Sequence, residues 1–200
     1  MFSFRTTSLE DQLDKALLEG RVGCFCTQNC WDTEKGRYMY EIFSERGNLH
    51  TVFSPRDTEL TPLTNHIEFT VDVLKELNAV VVEIQDVGAR SYTFISTLGL
   101  VMEACAPLGI EVMVLDRPNP LGGNKIEGCY VEQPFNSFVS QYKIPYIYGL
   151  TVGELAMLIN EEGLNRGQLG NQAPSKCDLT VVPMEGWTRD MLYEDTGLPW

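Results

Sequence analysis

Residues 80–100 read VVVEIQDVGARSYTFISTLGL. The run opens on β-branched residues, breaks at Gln85-Asp86 and resumes near Tyr92 as a long apolar stretch. Valine and isoleucine suit a pleated, covered surface, so a near-continuous apolar run predicts a strand buried on both faces. The stretch 92–106 is mostly apolar and predicts a helix. That makes residues 85–90 the turn between a strand and its crossover. The turn holds an acid, a glycine and an arginine, more chemistry than a connection requires.

The same alternation extends in both directions. Residues 9–18 have helical spacing, with Ser8 as N-cap and Gly20 as stop. Residues 22–26 predict a buried strand, and WDTEKGRYMYEIFSERGN (31–48) a helix ending near Gly47-Asn48. HTVFSP (50–55) predicts a strand closed by Pro55, 67–77 an amphipathic helix and 79–84 the third strand. Strands follow at 111–115 and 179–182, with a helix over 151–161 between them. Strands alternating with helices, the clearest strands being apolar throughout, predict an α/β fold. Its form is a Rossmann-like, doubly wound, mainly parallel sheet with helices on both faces.

Composition bounds the function. The chain has 200 residues, 44% of them hydrophobic, which is enough for a real core. With 28 acidic and 15 basic residues the net charge is −13, which disfavours nucleic acid or an anionic membrane as partner. No apolar run approaches a membrane span. The N-terminus has no apolar core with a small-residue cleavage site, so the chain as given is expected to be cytoplasmic. Of six cysteines, Cys24, Cys26 and Cys30 are close together, but C-x-C-x-x-x-C is not the paired spacing of a zinc site, and His50 and His66 are distant. Free thiols and no metal are expected.

In a doubly wound sheet, ligands bind beyond the carboxyl ends of the strands. Here that edge is predicted to carry Thr27-Gln28-Asn29, Ser54-Pro55-Arg56-Asp57, residues 85–90 and Asp116-Arg117-Pro118-Asn119. No G-x-G-x-x-G follows the first strand and no P-loop motif occurs, so no nucleotide cofactor is expected. Asp86 and Asp116 occupy matching places past their strands, and each is followed by an arginine, Arg90 and Arg117. One reading is a polar cup, in which the acids accept hydroxyls or move protons and the arginines hold an anion. The other is a structural clamp, with Asp86 capping the next helix and pairing with Arg90. Tyr92, at the helix start, is placed to turn its hydroxyl to the cup.

Four stretches carry a resemblance: VVVEIQDVGARSYTFISTLGLVMEA (80–104), VLDRPNPLGGNKIEG (114–128), IPYIYGLTVGELAMLINEE (144–162) and LTVVPMEGWTRDMLYEDTGLPW (179–200). Together they resemble the bacterial exo-β-N-acetylmuramidases, a family long known only as a domain of unknown function. The resemblance is dense from Asn78 onward and weaker over residues 21–55. It implies a secreted or cell-envelope glycoside hydrolase that removes N-acetylmuramic acid from the non-reducing end of peptidoglycan fragments. It also implies a cleft between a Rossmann-like N-terminal domain and a second α/β domain. Asp86, Arg90, Tyr92, Asp116, Arg117 and Asn119 fall on the family's cleft motifs, with Asp86 as one of the two carboxyls such hydrolysis needs. An arginine there suits the lactyl carboxylate of muramic acid.

The chain departs from the family after its second strand. A Pro-Glu-His-Gly stretch carrying the expected acid is replaced by Pro55-Arg56-Asp57-Thr58, which leaves Asp57 and Glu59 as candidate substitutes. The division expected is residues 1–183 for the first domain and 184–200 for the start of a second. A separately encoded C-terminal half is then a possible partner. A non-catalytic amino-sugar binding domain and a degenerate fragment are the alternatives.

Overall fold

The computed structural model describes residues 20–32, 36–54, 70–132, 135, 137–162 and 176–198. The helix expected over 9–18 and the candidate acids Asp57 and Glu59 lie outside the described residues.

Five strands form one parallel sheet: β1 (Val22–Cys26), β2 (Leu49–Phe53), β3 (Ala79–Glu83), β4 (Glu111–Leu115) and β5 (Leu179–Val182). Their order is β2-β1-β3-β4-β5. This is the flavodoxin-like arrangement of the doubly wound class, whose strand order reverses between β1 and β3. β3 is central, and all five of its residues are buried. Val80, Val81 and Val82 are fully enclosed, each such side chain being worth about 1.5–3 kcal/mol, so the middle of the sheet anchors the fold.

Residues along β3 alternate between two cores, as a period of two requires. Val80 and Val82 face a layer built from α2 (Val71–Leu74), α3 (Phe94–Cys105) and α4 (Val152–Glu162). Ala79 and Val81 face the opposite layer with Cys24, Cys26, Met113 and Leu115, against α1 (Met39–Arg46). Three helices on the first face and one on the other is what right-handed crossovers give for this order. No helix among the described residues is long and apolar enough to cross a membrane.

Several boundaries differ from the sequence expectation, among them the helix expected over 67–77, which ends at Leu74, and the starts of α1 and α3. α1 begins at Met39 rather than near Trp31, because Asp32 and Arg37 close an antiparallel bridge around Gly36. The Glu41 carboxylate then accepts the Tyr38 N–H at 2.7 Å and starts the helix. α3 begins at Phe94 rather than Tyr92, since residues 88–93 are spent in turns.

Candidate functional site

Gln85 and Asp86 leave the end of β3 fully inside the protein. The Gln85 amide donates to Pro118 O and to Asp86 O, both at 2.9 Å, which ties the loop after β3 to the loop after β4. Asp86 Oδ2 accepts the Gly88 N–H at 2.9 Å and the Tyr148 hydroxyl. Its Oδ1 is buried and has no partner among the described residues. Burial pushes this carboxyl above its ordinary value, against the bonds from Tyr148 and Gly88. Burial, then the Asp86 charge, push the Tyr148 phenol well up. The result is a held carboxyl with one oxygen uncommitted.

Arg90 does not pair with Asp86, so the clamp foreseen between them is not formed. Its Nη1 donates instead to Cys129 O at 2.8 Å and Ile144 O at 2.7 Å, and its backbone N–H to Tyr146 O at 2.8 Å. Ala89 also bridges Ile147, and Ile147 in turn bridges Glu127. Arg90 therefore latches the long loop between β4 and α4 onto the turn after β3. The residue is 8% exposed, and among the described residues Nε has no partner and no carboxylate pairs with the guanidinium. A buried cation held by two carbonyls and lying over the Tyr146 ring at 5.9 Å, with no carboxylate beside it among the described residues, keeps the capacity to receive an anion.

The second Asp/Arg couple has a different arrangement. Asp116 Oδ1 accepts the Arg117 N–H at 2.9 Å and the Gly153 N–H at 2.7 Å, and Oδ2 accepts the Thr151 hydroxyl at 2.9 Å. It anchors the start of α4, where Thr151 and Glu154 form a reciprocal capping box. Burial raises the Asp116 carboxyl in spite of these bonds. Arg117 forms a buried ion pair with Glu83 at the end of β3. Burial works against its charge, but the Glu83 carboxylate, together with Cys30 and Tyr193, outweighs it and leaves the guanidinium raised. Asn119 donates to Leu150 O and accepts the Leu121 N–H, both at 2.9 Å. These three side chains are engaged by the fold. Tyr92, by contrast, is 53% exposed beside the turn.

The structure therefore brings Asp86, Arg90, Asp116, Arg117 and Asn119 to one edge, where Asp86 Oδ1, Arg90 Nε, Arg117 Nε and Gln85 Oε1 are buried without a partner among the described residues. Gln85, foreseen on this edge, joins them, and Tyr148 and Glu83 do so unannounced. A cavity of about 750 Å³ opens elsewhere, beside the amino ends of β1, β2 and β3, lined by Arg21, Arg46, His50 and Glu76 among others. Arg21 is spent there on Glu76, and no candidate residue lines that cavity.

Fold and edge together define a doubly wound α/β domain with a polar strand-end site. Residues 64–200 match the family described as exo-beta-N-acetylmuramidase NamZ, N-terminal, and the chain belongs to that family. It is 47% identical over 130 residues to the peptidoglycan beta-N-acetylmuramidase NamZ of Bacillus subtilis, covering 65% of this chain and 29% of that protein. Two DUF1343 family proteins of Bacteroides fragilis have similar crystal structures. One superposes with a TM-score of 0.81 at 39% identity, the other with 0.82 at 25%. Each comparison covers 96% of this chain, but only 52% and 54% of the respective relatives. The chain thus spans about half the length of its solved relatives and less of the curated one.

Proposed function

We propose that this chain is the sugar-facing N-terminal part of an exo-β-N-acetylmuramidase, a glycoside hydrolase acting on terminal N-acetylmuramic acid of peptidoglycan fragments. The observation that carries the reading is the Asp86 carboxyl. It is buried at the strand-end edge of a chain of this family, with Oδ2 held and Oδ1 uncommitted. Oδ1 accepts a donor of the bound sugar, and the raised carboxyl is suited to exchanging a proton in glycoside cleavage. Arg90 supplies the positive charge for the lactyl carboxylate, and the exposed Tyr92 borders the sugar. Asp57 or Glu59 provides the other carboxyl.

The domain division at residue 183 belongs to the same proposal. β5 ends at Val182, and the following segment returns to the first domain through Arg189, which donates to Gly123 O and Gly149 O. Whether the protein works in the cytoplasm or at the envelope is decided by cell fractionation.

The test is release of p-nitrophenol from its β-N-acetylmuramide by the purified chain, with a melting curve as the check of folding. Turnover that Asp86→Asn abolishes supports the hydrolase. Pro55-Arg56-Asp57-Thr58 in place of Pro-Glu-His-Gly favours a second reading, a binding domain without catalysis. That reading expects no turnover but a higher melting temperature with N-acetylmuramic acid. Neither turnover nor a shift would sink both.

A further inference from the structure

We propose that Tyr148 is a positioning residue for Asp86: with the Gly88 N–H, its hydroxyl fixes Oδ2 and leaves Oδ1 as the oxygen offered to a ligand. The inference rests on the reading of Asp86 as the ligand-facing carboxyl.

Three observations carry it. First, the Tyr148 ring is buried in the main core with Leu98, Val152 and Leu155 among its neighbours in that cluster, and its hydroxyl bonds to Asp86. A phenol hydroxyl enclosed without a partner costs free energy, so this bond satisfies both groups. Second, the backbone around Tyr148 has little freedom. Ile147 bridges both Ala89 and Glu127, and Leu150 O accepts the Asn119 amide. Gly149 has a positive φ of 63°, and a β-carbon there would stand 2.9 Å from Lys125 O. Third, the segment bearing Tyr148 is held against the turn after β3 by Arg90, through Ile144 O and Tyr146 O. Closure of the long loop onto this turn therefore delivers the hydroxyl to the carboxyl. Arg90 and Asn119 act on Asp86 through that delivery.

A hydroxyl that donates to a carboxylate stabilises its charged form. In Tyr148→Phe the Asp86 carboxyl should titrate at higher pH than in the parent, read by carbon NMR of the side chain without any sugar present. The pH profile of N-acetylmuramic acid binding should move upward with it. A bond serving packing alone leaves the binding profile in place while lowering the melting temperature. An unmoved Asp86 titration in a folded variant, or a moved titration with an unchanged binding profile, would overturn the proposal. If neither protein binds the sugar, the muramic acid reading fails, and the carboxyl titration still decides whether Tyr148 controls Asp86. If Tyr148→Phe does not fold, the parent provides the test. Its Tyr148 hydroxyl proton should appear as a slowly exchanging downfield resonance that vanishes as Asp86 is protonated. Absence of that resonance at neutral pH counts against the bond.

Discussion

Gly88 passes so close to Asn119 that a β-carbon on it would lie 2.2 Å from the amide Oδ1. Its φ is also +83°, a region that side chains with a β-carbon resist. The same glycine donates to Asp86 Oδ2, so this contact joins the two loops at the candidate site. Gly88→Ala should therefore cost at least about 2 kcal/mol, combining backbone strain with displacement of Asn119. Urea midpoints of the two proteins measure it. A cost within the scatter of an ordinary surface change would mean that Asn119 simply moves aside.

The Glu83–Arg117 ion pair crosses the ends of β3 and β4 with both side chains more than nine-tenths buried. Breaking one half leaves a bare buried charge, so Arg117→Met should lose about 3–5 kcal/mol. Replacing both with apolar residues of similar volume should recover most of that loss. A double-mutant cycle by urea unfolding reads the coupling. Equal stabilities of the parent and the single variant would refute it.

Much of this architecture was legible because burial writes itself into sequence. The ends of β1, β4 and β5 follow from their apolar runs, and the runs imply a covered parallel sheet. The partners at the polar edge were not legible. The Asp86-x-x-x-Arg90 spacing reads as a local clamp, yet Arg90 bonds carbonyls 39 and 54 positions away and Asp86 a hydroxyl 62 away. Such distant pairings depend on where a long loop closes, which has no local period. One signal was available: Thr151-x-x-Glu154 has the form of a capping box. It places a helix start beside Tyr148-Gly149, and hence a fixed backbone there.

The Asp86 carboxyl is raised above its ordinary value of 3.8 by burial, so the folded chain binds its proton more tightly than the unfolded chain. The sign follows from linkage: stability contributed by this group is full below the unfolded value and falls as pH rises towards the folded one. Asp86→Asn removes that dependence. The stability of the parent relative to Asp86→Asn should therefore decline on going from about pH 4 to neutral. Paired urea titrations across that range measure it, and a difference that grows with pH would contradict the assignment.

Five of the six cysteines are buried, and Cys129 alone is exposed. Burial pushes Cys30 and Cys177 up to about 11 and Cys105 to about 12, with Cys24 and Cys26 also raised. Thiolate is the reactive form, so these groups should be inert at neutral pH. Dithiobis(nitrobenzoate) should label one thiol per native chain quickly and the other five only on unfolding. Cys129→Ser should abolish the fast phase. A fast phase larger than one thiol would show that the core around β1 opens readily.

Arg90 holds two carbonyls of the long loop with one nitrogen, a geometry that a shorter-reaching ammonium does not reproduce. Arg90→Lys keeps the charge but should release Cys129 O and Ile144 O, loosening the backbone around residues 127–129 and 144–147. Hydrogen exchange reports this directly. The Ile147 amide, bonded to Glu127 O at 2.9 Å, and the residue 90 amide on Tyr146 O should lose protection in the variant. Amides of β3 should keep theirs, because the valine core does not depend on the latch. Protection retained at both loop amides would mean that the backbone bridges close the loop unaided. Loss spreading into β3 would mean that the latch belongs to the global fold, and a local account of Arg90 would then fail.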